Sequence, residues 1–99
     1  MNEIKAAENR QIRGEILDAL RTNYPGMLSE KQVITWLEQL GHTAYNIKEY
    51  LEYLVDKGYI SLEVKVIKSY RQENTMVKLT PKGIDLLEGS IEEDPGIDF

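Results

Sequence analysis

The side chains best placed to do chemistry in this 99-residue chain are basic, and they cluster. Between Lys65 and Lys82 stand five bases (Lys65, Lys68, Arg71, Lys78, Lys82) and a single acid, Glu73. Lysine and arginine at that density suit phosphate oxygens, with condensed counterions released at each contact. Acid–base chemistry has less to stand on. Glu49 with Glu52, and Glu92 with Glu93, are carboxylate pairs. A general acid needs burial or a like-charge neighbour to move its pKa, whereas acids on an exposed face are simply solvated. His42, the one histidine, stands beside Gly41 in a turn and reads as polar surface. The chain has no cysteine, which removes disulfide, zinc-ribbon, iron–sulfur and thiol chemistry. It also lacks a phosphate-cradling glycine loop, a nucleophile elbow and metal-ligand spacing. The reading is of a non-enzymatic chain that needs no cofactor and no metal.

Hydrophobic spacing supplies the elements that must hold the basic cluster. Ile12, Ile16, Leu17, Ala19 and Leu20 line one face of a helix over about residues 2–23, and Ile4 extends the series backward. Asn23-Tyr24-Pro25-Gly26 stops it. Ser29 with Gln32 has capping-box spacing and opens a second helix, whose apolar face is Val33, Trp36, Leu37 and Leu40. Gly41 ends that helix, and Thr43 is expected to cap a third that runs to about Lys57. Its buried stripe is Ile47, Leu51, Leu54 and Val55; Tyr45, Asn46, Lys48, Glu49, Glu52 and Asp56 face outward. From Tyr59 to Val66 the period changes to two, with Ile60, Leu62, Val64 and Val66 alternating with polar residues in a half-buried strand. A polar turn over 69–74 and a second strand over 75–79 complete a hairpin. Thr80-Pro81 opens a last short helix with Ile84, Leu86 and Leu87 as its contacts, ended by Gly89. Three helices, a sharp turn at 41–43, a two-stranded hairpin and a short fourth helix define an α+β winged helix-turn-helix over 1–89.

Net charge refines this picture. Twelve bases against 17 acids give −5, which argues against bulk electrostatic binding to nucleic acid or membrane. Five of the acids (Glu88, Glu92, Glu93, Asp94, Asp98) fall in the last twelve residues, where there is no base, so residues 1–87 are neutral. The segment 90–99 reads as a solvated acidic tail. A sharper alternative has Ile97 and Phe99 anchoring it while its acids lie over the basic hairpin. In the first helix Lys5, Arg10, Arg13 and Arg21 interleave with Glu3, Glu8, Glu15 and Asp18, over a length greater than one small core requires. No apolar run is long enough to span a membrane. Cytoplasmic location is the expectation.

The stretches Asp56-Lys57-Gly58-Tyr59-Ile60 and Leu79-Thr80-Pro81-Lys82-Gly83-Ile84-Asp85-Leu86-Leu87 resemble winged-helix repressors of the multiple-antibiotic-resistance and phenolic-acid-response types. In those families the first motif leads from recognition helix to wing, and the second from wing to final helix. The resemblance covers about residues 10–89. More narrowly, Asn2-Glu3-Ile4-Lys5-Ala6-Ala7, Gly83-Ile84-Asp85, Gly89 and Pro95-Gly96-Ile97 look like a family of small winged-helix proteins from Mu-like prophages, from which the acidic run Glu92-Glu93-Asp94 departs.

These likenesses imply a small phage- or prophage-type transcriptional regulator with double-stranded DNA as partner. Thr43, Tyr45, Asn46, Lys48 and Glu49 would lead the third helix into the major groove, Asn46 suiting adenine and Lys48 guanine or phosphate. Lys65, Lys68, Arg71 and Lys78 would line the wing for phosphate contact, with Arg71 at its tip reaching a narrow minor groove. A homodimer through the first helix, with the C-terminal segment as an optional second contact, would match a two-fold site. An alternative stays open, because the third helix has two bases and three acids. That balance fits a winged-helix protein–protein interaction module that does not bind DNA, in which the hairpin lysines merely discourage edge-to-edge aggregation.

Overall fold

A computed structural model of the protein describes residues 3–43, 45–67 and 72–99. Helix α1 (Glu3–Asn23) buries Ile12, Ile16, Leu17, Ala19 and Leu20, the stripe that 3- and 4-residue spacing places on one face. A turn containing the cis Tyr24–Pro25 bond leads to a two-residue strand, β1 (Leu28–Ser29), and directly into α2 (Glu30–Gln39). Ser29 Oγ accepts from the Gln32 N–H at 3.1 Å, and Gln32 Oε1 accepts from the Ser29 N–H at 2.8 Å. The capping box expected from sequence is therefore complete. Helix α3 (Ile47–Asp56), strands β2 (Ile60–Ile67) and β3 (Gln72–Leu79), and α4 (Pro81–Glu88) follow. Thr80 caps α4 by accepting from the Gly83 N–H, Pro81 starts it, and Gly89 ends it at φ 76°, a left-handed position that favours glycine.

The three strands form one antiparallel sheet in the order β1-β3-β2. The β2–β3 ladder runs without interruption from Ile60 opposite Leu79 to Ile67 opposite Gln72. Leu28 and Ser29 pair with Val77 and Met76 on the other side of β3. A two-residue strand has no period to detect, which is why the sequence reads as a two-stranded hairpin. The root of the sheet enters the core: Ile60, Val77 and Leu79 are buried among Ile12, Ile16, Leu17 and Leu20 of α1, Val33 and Leu37 of α2, and Leu51 and Leu54 of α3.

Several expectations need correction. Thr43 does not cap α3; the helix begins four residues later, with Asn46 at the N-cap position and no side-chain cap bond. Val55 is exposed and Tyr50 is buried instead, its hydroxyl donating to Asn9 Oδ1 at 2.9 Å. Trp36 and Leu40 remain partly exposed, at 43 and 44%, at the margin of the core that takes Val33 and Leu37 of α2. Leu62, Val64 and Val66 alternate as the period predicts but are exposed, since the core ends at the hairpin root. Gln72, Glu73 and Asn74 belong to β3 rather than to a turn; ladder hydrogen bonds are made by backbone and tolerate polar side chains at a solvated wing.

The C-terminal segment lies against the helices. Ile97 is buried in the same core, Asp98 donates its N–H to the Arg10 carbonyl at 3.1 Å, and Arg13 Nη1 donates to the Gly96 carbonyl at 3.1 Å. Two of its acids are placed away from the wing: Asp94 meets Lys57 and Asp98 meets Arg10. Gly14 makes the docking possible, because a Cβ there would collide with the carbonyl of Asp98. Replacing Gly14 by alanine is expected to push residues 96–98 off α1 and to cost about 1–3 kcal/mol. Urea denaturation and hydrogen exchange at the Asp98 amide check this; unchanged stability with a still-protected Asp98 amide contradicts the docking.

Candidate functional site

The entrance to α3 is built from an inward and an outward set of residues. Ile47, Tyr50, Leu51 and Leu54 hold the helix to the core, which turns Lys48 and Glu49 outward. The Asn46 carbonyl accepts from the Glu49 and Tyr50 N–H groups at 3.0 and 3.3 Å, leaving its exposed side chain free of capping duty. Tyr45 is 92% exposed and Thr43 is exposed one step further back in the loop. Tyr45, Asn46, Lys48 and Glu49 thus share the leading turn, while Thr43 precedes it. Tyr45 and Thr43 also border a groove of about 370 Å³ with Ile34, Glu38 and His42.

His42 fixes this loop from behind, contrary to its expected role as polar surface. It is largely buried, and its Nε2 lies 2.6 Å from Glu15 Oε2 on α1. Its backbone N–H donates to the Leu37 carbonyl at 3.0 Å. Gln11 Nε2 supports Glu15 through the other carboxylate oxygen at 3.2 Å. The loop that presents Tyr45 and Asn46 is therefore tied to both α1 and α2. No spacing rule joins residues 15 and 42, so only the histidine's place beside the α2 end hinted at it.

On the wing, register determines which bases act together. Lys65 is opposite Asn74 and Lys78 is opposite Ser61, so both lysines project from the same face of the sheet. Four residues of strand separate them, about 13 Å. Glu63, opposite Met76, lies between them on that face. Lys65 is exposed and Lys78 half-buried. Lys68 and Arg71 lie outside the described residues. Lys82, grouped with these bases in the sequence, is used elsewhere: its ammonium donates to the Lys57 carbonyl at 3.0 Å and stands 5.3 Å from the centre of the Tyr59 ring. A cation at the last carbonyls of α3 is favourable to that helix.

The far end of α3 meets the C-terminal segment at Asp94. The Tyr59 hydroxyl donates to Asp94 Oδ2 at 2.7 Å, the Lys57 ammonium lies 3.3 Å from the same oxygen, and the Gly96 N–H donates to Oδ1 at 2.8 Å. Burial and the Asp94 hydrogen bond push the Tyr59 phenol up to about 12. The hydrogen bond to Asp94, then its charge, raises Lys57. For Asp94, burial acts upward, but the Gly96 N–H, the Tyr59 hydroxyl and the Lys57 ammonium outweigh it and hold the carboxyl below its ordinary value. Asp94 therefore stabilises the fold fully above the ordinary carboxylate pKa, and loses that effect as pH falls through its lower folded value. Asp94→Asn is expected to cost about 1–3 kcal/mol at neutral pH. In thermal melts the difference from the parent should shrink on acidification; a difference constant down to strongly acid pH contradicts this.

Helix-turn-helix, wing and closing helix together make the fold a winged helix-turn-helix of the α+β class. The chain is similar to a solved structure described as the crystal structure of Bacillus subtilis PadR in complex with operator DNA, with a TM-score of 0.64 and 26% identity. The likeness covers 85% of this chain and 50% of that one, so the protein spans about half the length of the PadR chain. No protein-family model and no curated protein matches. Among the described residues no helix is long and apolar enough to cross a membrane, and no group of three or more His, Cys, Asp or Glu is placed to hold a metal ion.

Proposed function

We propose that this protein is a DNA-binding transcription regulator that reads a duplex with the start of α3 and lays its wing along the phosphate backbone. The observation that carries this reading is the structural likeness over 85% of the chain to PadR bound to operator DNA. The exposed leading turn of α3 supports it. Asn46 has its amide available for the two edges of an adenine, Lys48 for guanine or phosphate, and Tyr45 and Thr43 for the groove wall. Glu49 suits the amino group of a cytosine. Lys65 and Lys78 share a wing face, and Lys68 and Arg71 supply the charge between the two strands, Arg71 for a narrow minor groove.

A homodimer joined along α1 would present two such surfaces to a two-fold site. Ile4 and Phe99 are largely exposed, and Phe99 lines a groove with Ala7, Gln11 and Gly14 of α1, so the C-terminal segment would share that contact. The resemblance of the opening and closing motifs to small Mu-like prophage proteins supports a phage or prophage setting for such a regulator, acting in the cytoplasm.

One feature favours a protein-interaction module without DNA binding. The exposed face of α3 carries Glu49, Glu52 and Asp56, and Lys57 is already engaged by Asp94. A gel-shift titration with mixed-sequence duplex at about 50 and 200 mM salt separates the two readings. Tight binding at the lower salt is expected to fall steeply at the higher. Lys68→Glu and Arg71→Glu should each weaken it and reduce the salt slope by about one per lost phosphate contact. No binding at low salt, or binding indifferent to both reversals, rejects the DNA reading in favour of the interaction module.

A further inference from the structure

The outer edge of β2 is exposed, and its residues have an unusual internal order. Among the described residues β2 is an edge strand, because β3 occupies the middle of the sheet. It is eight residues long, contains no proline or glycine, and its ladder to β3 has no bulge. One row of its backbone donors and acceptors is therefore free to pair with another strand. Leu62, Val64 and Val66 stand 42, 58 and 59% exposed along one face of it. An edge this long, straight and apolar is the kind that soluble proteins usually shorten, bulge or cover.

We infer that β2 pairs antiparallel with β2 of a second copy about a two-fold axis at Val64, joining two three-stranded sheets into one. Charge order within the strand points to this occupant. Centring the pair on Val64 sets Glu63 opposite the partner's Lys65 and Lys65 opposite the partner's Glu63. On the other face it sets Leu62 opposite the partner's Val66, and Val64 opposite itself. Directly opposed side chains lie close enough for opposite charges to stabilise and like charges to destabilise the pair. Moving the axis to Glu63 or to Lys65 sets that charge against its own copy. A register shifted by a half-step sets apolar residues against charged ones, for example Leu62 against the partner's Lys65. Only the Val64-centred register sets Glu63 and Lys65 against opposite charges while keeping apolar residues opposite apolar ones. The wing's own sequence thus selects one partner and one alignment, and this selection does not depend on any contact with DNA.

Pairing along a single strand edge is a small interface, and self-association in the micromolar range is expected. Sedimentation equilibrium of the full chain without DNA, from micromolar to submillimolar concentration, should show reversible association. Glu63→Lys and Lys65→Glu should each weaken it at least tenfold, since each creates two like-charge oppositions. Mixing these two variants, or combining them in one chain, restores opposite charges at both positions and should restore association. Glu73→Lys makes the same change in net charge as Glu63→Lys but on β3, away from the edge, and should leave association intact. A chain that stays monomeric throughout overturns the pairing. So does an association in which Glu63→Lys moves no step, which would leave the α1 contact as the one surface joining the copies. Single variants that weaken without recovery in the mixture or the double variant overturn it as well.

Discussion

Burial of the hairpin at its root, where Ile60, Val77 and Leu79 enter the helical core, is the constraint from which the arrangement of the molecule follows. Because the root is fixed, the connection from α3 to β2 and that from β3 to α4 must meet beside it. Thr80 donates its N–H to the Tyr59 carbonyl at 3.0 Å and its hydroxyl to the Gly58 carbonyl at 2.6 Å, closing that meeting point. Gly83 packs so closely on the Tyr59 carbonyl and the Leu79 side chain that no Cβ fits. Outward of Met76 the described residues of the wing are joined by the β2–β3 ladder, so their side chains are free to be selected for what they touch.

The length and mixed charge of α1 acquire a structural explanation. Its apolar stripe serves the core, and several of its charged residues are also committed. Arg10 and Arg13 hold the C-terminal segment, Arg13 stacks 3.6 Å from the centre of the Tyr53 ring, and Glu15 faces His42. One long helix thereby braces both ends of the unit that carries α3: the entry loop through residue 42, and the exit through Tyr53 and the segment that holds Asp94. The acidity of the chain's end is partly spent inside the fold, where Asp94 offsets Lys57 and orders Tyr59.

The winged-helix order, the Ser29 capping box, the Thr80-Pro81 helix start and the Gly89 stop were legible in the sequence because each depends on residues within four of one another. What escaped depends on distance or on the extent of the core. β1 exists only because β3 lies beside it. Val55 and Trp36 obey helical spacing, yet the core covers them only in part. The pairs Glu15–His42 and Tyr59–Asp94 bridge 27 and 35 positions, and no local pattern announces them. For the interface, residue types and their outward direction on α3 could be anticipated. The sharing of one wing face by Lys65 and Lys78 required the register.

Ser29 belongs to two structures at once: it pairs with Met76 in the sheet and caps the first turn of α2. The central strand of the wing and the first helix of the helix-turn-helix are thus joined through a single residue, with no flexible spacer between them. Bending the wing away from the body would have to open that pairing or strip the cap from α2. The root of the wing and the start of α2 are therefore coupled through Ser29, so a displacement of one is passed to the other. Any surface they meet together must conform to the protein's own spacing.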